Sequence, residues 1–149
     1  GINHRARVMT MSENIEAGLV LSVINLQSKI QKRIGSALSA HGIGLSDYLV
    51  LNQLYTAPNQ KVRRSDLAEQ VGLSPSGVTR LLNPMEKIGL VKKQENPRDA
   101  RVSLVALTTA GTKIYEDAQV SFKHASAALL EPLDKKELDE FYKLLKAVL

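Results

Sequence analysis

The sequence has no cysteine. Disulfides, thiolate metal sites, iron–sulfur clusters, cysteine nucleophiles and thiol redox sensing are therefore excluded. It has no tryptophan, and aromatic residues make up only 4% of its 149 residues. A base-stacking platform or an aromatic-lined cofactor pocket has little to be built from. No uninterrupted run of about 18 apolar residues occurs, so no membrane span is expected. The nearest approach to a secretory leader is Arg5 and Arg7 ahead of an apolar run from Ala17 to Leu26. Glu13 and Glu16 lie between the basic and apolar parts, and Gln27 and Lys29 follow, so the segment reads as helix in a cytoplasmic protein. P-loop, G-x-G-x-x-G, G-x-S-x-G and H-E-x-x-H spacings are all missing. Paired acids such as Glu116-Asp117 and Asp139-Glu140 fall on solvated helix faces with adjacent side chains pointing apart. Neither an enzyme nor a cofactor is expected. His4, His41 and His124 are scattered, which argues against a metal site.

What is present suffices for one folded unit. Hydrophobic residues make up 44% and charged residues 23%, an ordinary soluble composition with enough apolar material for a core. Gly1–Met9 show no periodicity, and residues 1–12 are expected to be disordered. From Glu13 to Ala40, Ile15, Leu19, Val23, Leu26, Ile30, Ile34 and Leu38 recur at steps of three and four, the mark of one long amphipathic helix. His41-Gly42-Ile43-Gly44 ends it. Ser46 is expected to cap a second helix, Asp47 to Thr56, which Pro58-Asn59 breaks. Arg64 to Val71 reads as a short third helix closed by Gly72. Ser74 caps a fourth, with Pro75 in its first turn, running to about Ile88 and stopping at Gly89.

Leu90–Glu95 and Arg101–Leu107 read as two strands joined by the turn residues Asn96-Pro97-Arg98-Asp99-Ala100. Thr108 caps a fifth helix to about Leu130. Asp134 with Glu137 forms a capping box for a last helix to Leu149. The expected fold is mainly α with a small β-hairpin wing: a winged helix-turn-helix unit carrying N- and C-terminal dimerisation helices.

The fourth helix has an inner face of Val78, Leu81, Leu82 and Met85, continued by Ile88 and Leu90. Its other side carries Ser76, Gly77, Arg80, Asn83 and Lys87, with Thr79 on the border. Small and hydroxylated residues at the helix start, then an arginine one turn on, suit entry into a DNA major groove. An ordinary amphipathic surface helix would show the same pattern. Its neighbours favour DNA: Leu67-Ala68, the turn Val71-Gly72-Leu73 and Ser74 have helix-turn-helix spacing. The hairpin loop brings Arg98 and Arg101, which read either as minor-groove cations or as a solvated turn paired to Asp99. Both readings hold together if Asp99 orients Arg101. Of the net charge of +5, residues 61–103 hold +4, the footprint of a phosphate-binding surface.

At Ser65-Asp66-Leu67-Ala68-Glu69, Leu73 to Leu82, Glu86 to Val91 and Asn96 to Gly111, the sequence resembles the MarR family of winged-helix transcription regulators. The D-x-R wing followed by a strand and L-T-x-x-G is the most specific part. The resemblance implies a homodimer on a pseudo-palindromic operator in double-stranded DNA, with release by a small, often phenolic or aromatic, effector. It places DNA contacts at Ser74, Ser76, Gly77, Thr79, Arg80, Arg98 and Arg101. Two departures stand out. Ala100 occupies a wing position often basic in the family. Pro84, inside the recognition helix, is expected to kink or split it near Asn83 and confine base reading to Ser76–Asn83.

Leu138, Phe141, Tyr142, Leu145, Val148 and Leu149 give the last helix a wide apolar stripe. It either packs on the first helix of the same chain or, as the resemblance implies, interleaves with a second copy. Residues 1–45 and 109–149 would then dimerise and residues 46–108 bind DNA. An effector pocket would lie where these parts meet, with His41, Tyr48, Arg64 and Tyr115 as candidate contacts. The alternative is a winged-helix protein–protein module without DNA binding.

Overall fold

A computed structural model describes residues 14–149, so the expectation of disorder at 1–12 lies outside the described residues. The first helix, α1, spans Ile15–Ser39 and is capped by the Asn14 side chain, which accepts from the Ala17 N–H at 3.0 Å. Helix α2 spans Leu45–Thr56, two residues longer at its start than expected. Gly44, not Ser46, precedes it in an extended conformation. The Asp47 carboxylate reaches back to accept from the Gly44 N–H at 2.8 Å, so the start is closed from inside the helix.

After a 3-10 turn at Pro58–Gln60 comes a strand the sequence did not suggest, β1 (Lys61–Arg63). Three residues are too few to show a period of two. Helix α3 (Arg64–Val71) ends at Gly72, whose φ of +70° permits the left-handed turn; the Leu73 N–H then bonds back to the Ala68 carbonyl at 2.9 Å. Helix α4 (Pro75–Lys87) begins at Ser74, whose Oγ accepts from the Gly77 N–H at 3.1 Å. Strands β2 (Val91–Glu95) and β3 (Ser103–Leu107) follow, then α5 (Thr109–Leu129) and α6 (Lys135–Val148).

The sheet is three-stranded and antiparallel in the order β1-β3-β2. Val62 lies opposite Val105, and Lys93 pairs with Val105 from the other side. Thus the expected hairpin wing is present, and a third strand, β1, anchors it beside α3. Central β3 supplies buried Val105, Ala106 and Leu107. Leu38, Leu51, Leu54, Leu67 and Leu82 close the core around it, with Tyr115 and Ala118 entering from α5. Among the described residues, no charged or purely polar side chain is buried.

Two expectations for α4 need correction. The helix does not split at Pro84: it is one element to Lys87. Pro84 lies on the exposed side, where solvent can serve the carbonyl its missing N–H leaves free. Ile88 does not continue the inner face and is 63% exposed. It sits past the last helical residue, so the helical period no longer governs it, while Leu90 turns back into the core.

The outer helices are only half used. Ile34 and Leu38 of α1 are buried, but Ile15, Leu19 and Val23 are exposed. Helix α6 buries no residue and does not pair extensively with α1. Packing between first and last helices within one chain therefore does not absorb their apolar faces. Among the described residues, no helix is long and apolar enough to cross a membrane.

Candidate nucleic-acid interface

Burial of Val78, Leu82 and Met85 fixes α4 against the core. That alone turns Ser76, Arg80, Asn83 and Lys87 outward, since they lie on the opposite side of a 3.6-residue turn. Ser74 and Ser76 stand at the helix mouth with their Oγ atoms 3.2 Å apart. Gly77 and Thr79 are half-buried. The Thr79 hydroxyl donates to the Pro75 carbonyl at 3.1 Å and accepts from Arg64 Nη2 at 2.7 Å.

The wing loop is ordered by its own side chains. Asn96 Oδ1 accepts from the Arg98 N–H at 2.9 Å. Asp99 accepts the Arg101 N–H at 3.0 Å, Nε at 3.1 Å and Nη2 at 3.3 Å. The expected Asp99–Arg101 pairing is thus a two-pronged, charge-assisted one. The Arg101 side-chain bonds, then its backbone N–H, hold the Asp99 carboxyl below its ordinary range. Its charged form, and the pairing with it, persists through neutral pH and is lost only as acid protonates it. The Arg101 side chain is still 91% exposed, so the cation is aimed without being covered. Arg98, Lys92 and Lys93 are also exposed.

Helix and wing face one another across a cleft of about 610 Å³, bordered by Arg63, Arg64, Pro75, Thr79, Arg101 and Ser103 among others. Thus the wing cation Arg101 and the start of α4 share one concavity. Arg98 is at the wing tip and Arg80 on the outer face of α4. Arg63 and Arg64 were not foreseen here. Arg64 lies fifteen residues before Thr79, and no local pattern reports so distant a contact.

The proposed effector contacts divide. His41 Nε2 lies 2.8 Å from Ser121 Oγ. Tyr48 stacks on Tyr115 and Phe122 with ring centroids 5.2 and 4.6 Å apart, and the Tyr115 hydroxyl donates to Asn52 Oδ1 at 2.6 Å. Burial, followed by the Tyr115 hydroxyl, pushes the Tyr48 hydroxyl above its ordinary titration range. These three residues gather between α2 and α5, where both tyrosines fill core volume. Arg64 does not join them, because its guanidinium is engaged with Thr79. Among the described residues, no three metal-ligating side chains cluster.

Small and hydroxylated residues at a helix mouth, an outward arginine one turn on and a cationic loop alongside can contact base edges and phosphates in adjacent grooves. The comparisons agree with this geometry. The model of the MarR family matches residues 43–103. The HTH-type transcriptional regulator PrsX of Escherichia coli is 31% identical over 88 residues, 59% of this chain. The chain spans about half the length of that relative, 53%. The HTH-type transcriptional repressor MdtR of Bacillus subtilis is 27% identical over 130 residues, covering 87% of this chain and 83% of the relative.

Among solved structures, a mutant MarR from E. coli complexed with operator DNA superposes with a TM-score of 0.79 and 27% identity, over 93% of this chain and 97% of that one. AbsC from Streptomyces coelicolor superposes with a TM-score of 0.82 at 21% identity, over 91% and 92% of the two chains, which speaks to the fold alone. Residues 43–103 thus match the MarR family model, and the chain shares its backbone with an operator-bound MarR across nine-tenths of its length.

Proposed function

We propose that the protein is a homodimeric, sequence-specific DNA-binding transcriptional regulator, acting as a repressor. Helix α4 reads the major groove, and the β2–β3 wing enters the adjacent minor groove. The observation that carries this is that Arg101, held by Asp99, shares one cleft with the start of α4, whose outer face carries the exposed Arg80. Ser74, Ser76 and Gly77 let the backbone approach, Thr79 and Arg80 face base pairs, and Arg98 and Arg101 serve the wing. The match to operator-bound MarR and the repressor naming of MdtR support the reading.

Residues 46–108 form the DNA-binding unit in this reading, while 1–45 and 109–149 dimerise. The exposed apolar residues of α1 and α6 supply the pairing surface. Two-fold symmetry then sets two copies of α4 about one DNA turn apart, roughly 34–36 Å, matching a pseudo-palindromic operator. A small aromatic effector fits the same scheme. It would enter the apolar cleft of about 430 Å³ between α1, α5 and α6, bordered by Ile34, Phe122 and Leu145, and favour the geometry that cannot span both half-sites.

Selection of bound fragments from genomic DNA by the purified protein tests the reading. It should return short, two-fold symmetric sites. On those sites Arg80→Ala is expected to cost about 1–3 kcal/mol per half-site and relax base preference. Arg101→Ala and Asp99→Asn should each weaken binding several-fold with the melting temperature unchanged, because both side chains act at the surface. If Arg80→Ala and Arg101→Ala bind as the parent does, the interface is misplaced. Retention of no DNA would favour a protein–protein module.

A further inference from the structure

Thr79 sits on the border of the reading face, and its hydroxyl is already committed. Its single proton goes to the Pro75 carbonyl of its own helix, and Arg64 Nη2 arrives at the oxygen from α3. Both partners belong to the protein, so the hydroxyl's proton and one of its lone pairs are spent there and not on a base edge. The other substituent on Cβ is the methyl group. Arg64 is equally committed: its Nη1 is shut off from solvent and has no hydrogen-bond partner. A guanidinium wedged in this way is poorly placed to serve a DNA phosphate and well placed to hold the side chain it touches.

We infer that Arg64 is a positioning residue that keeps the Thr79 hydroxyl on the protein, so that Thr79 reads the major groove through its methyl and selects a thymine at one position of each half-site. Thymine alone among the DNA bases carries a methyl group in that groove, and apolar contact to it is how a threonine methyl discriminates. The inference rests on the DNA-reading assignment of α4 made above. It differs from a reading by the hydroxyl, which would favour bases by donor and acceptor pattern and ignore the methyl.

Uracil separates the two, because it lacks the thymine methyl and keeps the same hydrogen-bonding edge. In sites recovered by selection, each thymine is replaced in turn by deoxyuridine and binding is measured by fluorescence anisotropy. One position per half-site should lose about fourfold, the worth of one buried methyl group. Thr79→Val keeps a methyl and should retain that loss, whereas Thr79→Ser should abolish it. Arg64→Met should reduce it by freeing the hydroxyl to turn outward, and Arg64→Lys should restore part of it. A merely structural Arg64 would lower affinity for thymine and uracil sites alike and leave their ratio unchanged.

The inference is overturned if no thymine in the site is sensitive, or if Thr79→Ser keeps the sensitivity that Thr79→Val loses. Failure to recover any preferred sequence would instead remove the DNA-reading assignment beneath it. Melting curves of all four variants identify any that have lost the fold, and the uracil ratio of the parent protein stands without them.

Discussion

Gly111→Ala is expected to prevent folding or to remove most of the protein's stability. A Cβ at Gly111 would lie 2.1 Å from the Leu90 carbonyl oxygen and 2.9 Å from Leu107 Cδ1. The first obstacle is backbone, so no rotamer change relieves it. Around this contact the start of α5 is fastened to the end of the helix-turn-helix. The Thr108 N–H donates to the Leu90 carbonyl at 3.2 Å, and Thr108 Oγ1 accepts from the Gly111 N–H at 2.9 Å. An alanine must push α5 off that seat and break the fastening with it. Overpacking against rigid backbone costs about 3 kcal/mol or more, against a total stability of only about 5–15 kcal/mol. Urea unfolding measures the effect. Gly35→Ala is the matched control, since nothing lies within 4 Å of its added Cβ and a helical alanine gains roughly 0.5–1 kcal/mol over glycine. A Gly111→Ala protein as stable as its parent would mean that α5 does not begin on Leu90.

A second large effect is expected at α6. Phe141 and Leu145 are 44% and 38% exposed, and no residue of the helix is fully buried in its own chain. In an isolated chain, Phe141→Glu with Leu145→Glu should therefore be nearly silent, since surface changes usually stay within about 0.5 kcal/mol. In a dimer joined through α1 and α6, the same change sets two carboxylates per protomer into an apolar seam, where unpaired charge is strongly disfavoured. The double variant should sediment as a monomer or aggregate. It should also lose about a hundredfold or more in affinity for a two-half-site operator, because each reading head then binds alone and forfeits the effective concentration of its partner. An unchanged mass together with unchanged affinity would show that the apolar face of α6 is not the seam.

Much of this architecture is legible in the sequence where the governing physics is local. The Ser74 and Thr108 caps, the Asp134–Glu137 box and the Gly72 turn involve neighbours within a few residues, and each lies where the pattern indicates. The outward direction of Arg80 follows from the apolar spacing of Val78, Leu82 and Met85. The Asp99–Arg101 fork is two residues long and equally readable. What escapes is non-local. Strand β1 exists because β3 offers Val105 opposite Val62, more than forty residues away in sequence. Arg64 resembles any cation at a helix start until α3 folds against α4 and brings Thr79 to it. Gly111 reads as a family letter, and its necessity appears only when Leu90 is seen above it. Pro84 misleads in the opposite direction: the local rule expects a kinked or split helix, but an exposed site and a well-packed inner face carry it through unsplit to Lys87.

The central claim is that two copies of α4 and its wing grip one duplex together. A spacing titration tests it most directly. Two recovered half-sites are placed on one duplex at their natural separation, about one helical turn of 10–10.5 base pairs, and then with roughly five base pairs added. Binding by the full chain is measured on both at low and moderate salt. Tight, steeply salt-dependent binding at the natural separation is expected, with a collapse to half-site affinity when the second head is rotated to the opposite side of the helix. Equal affinity for both duplexes would contradict a paired grip, whatever the strength of binding.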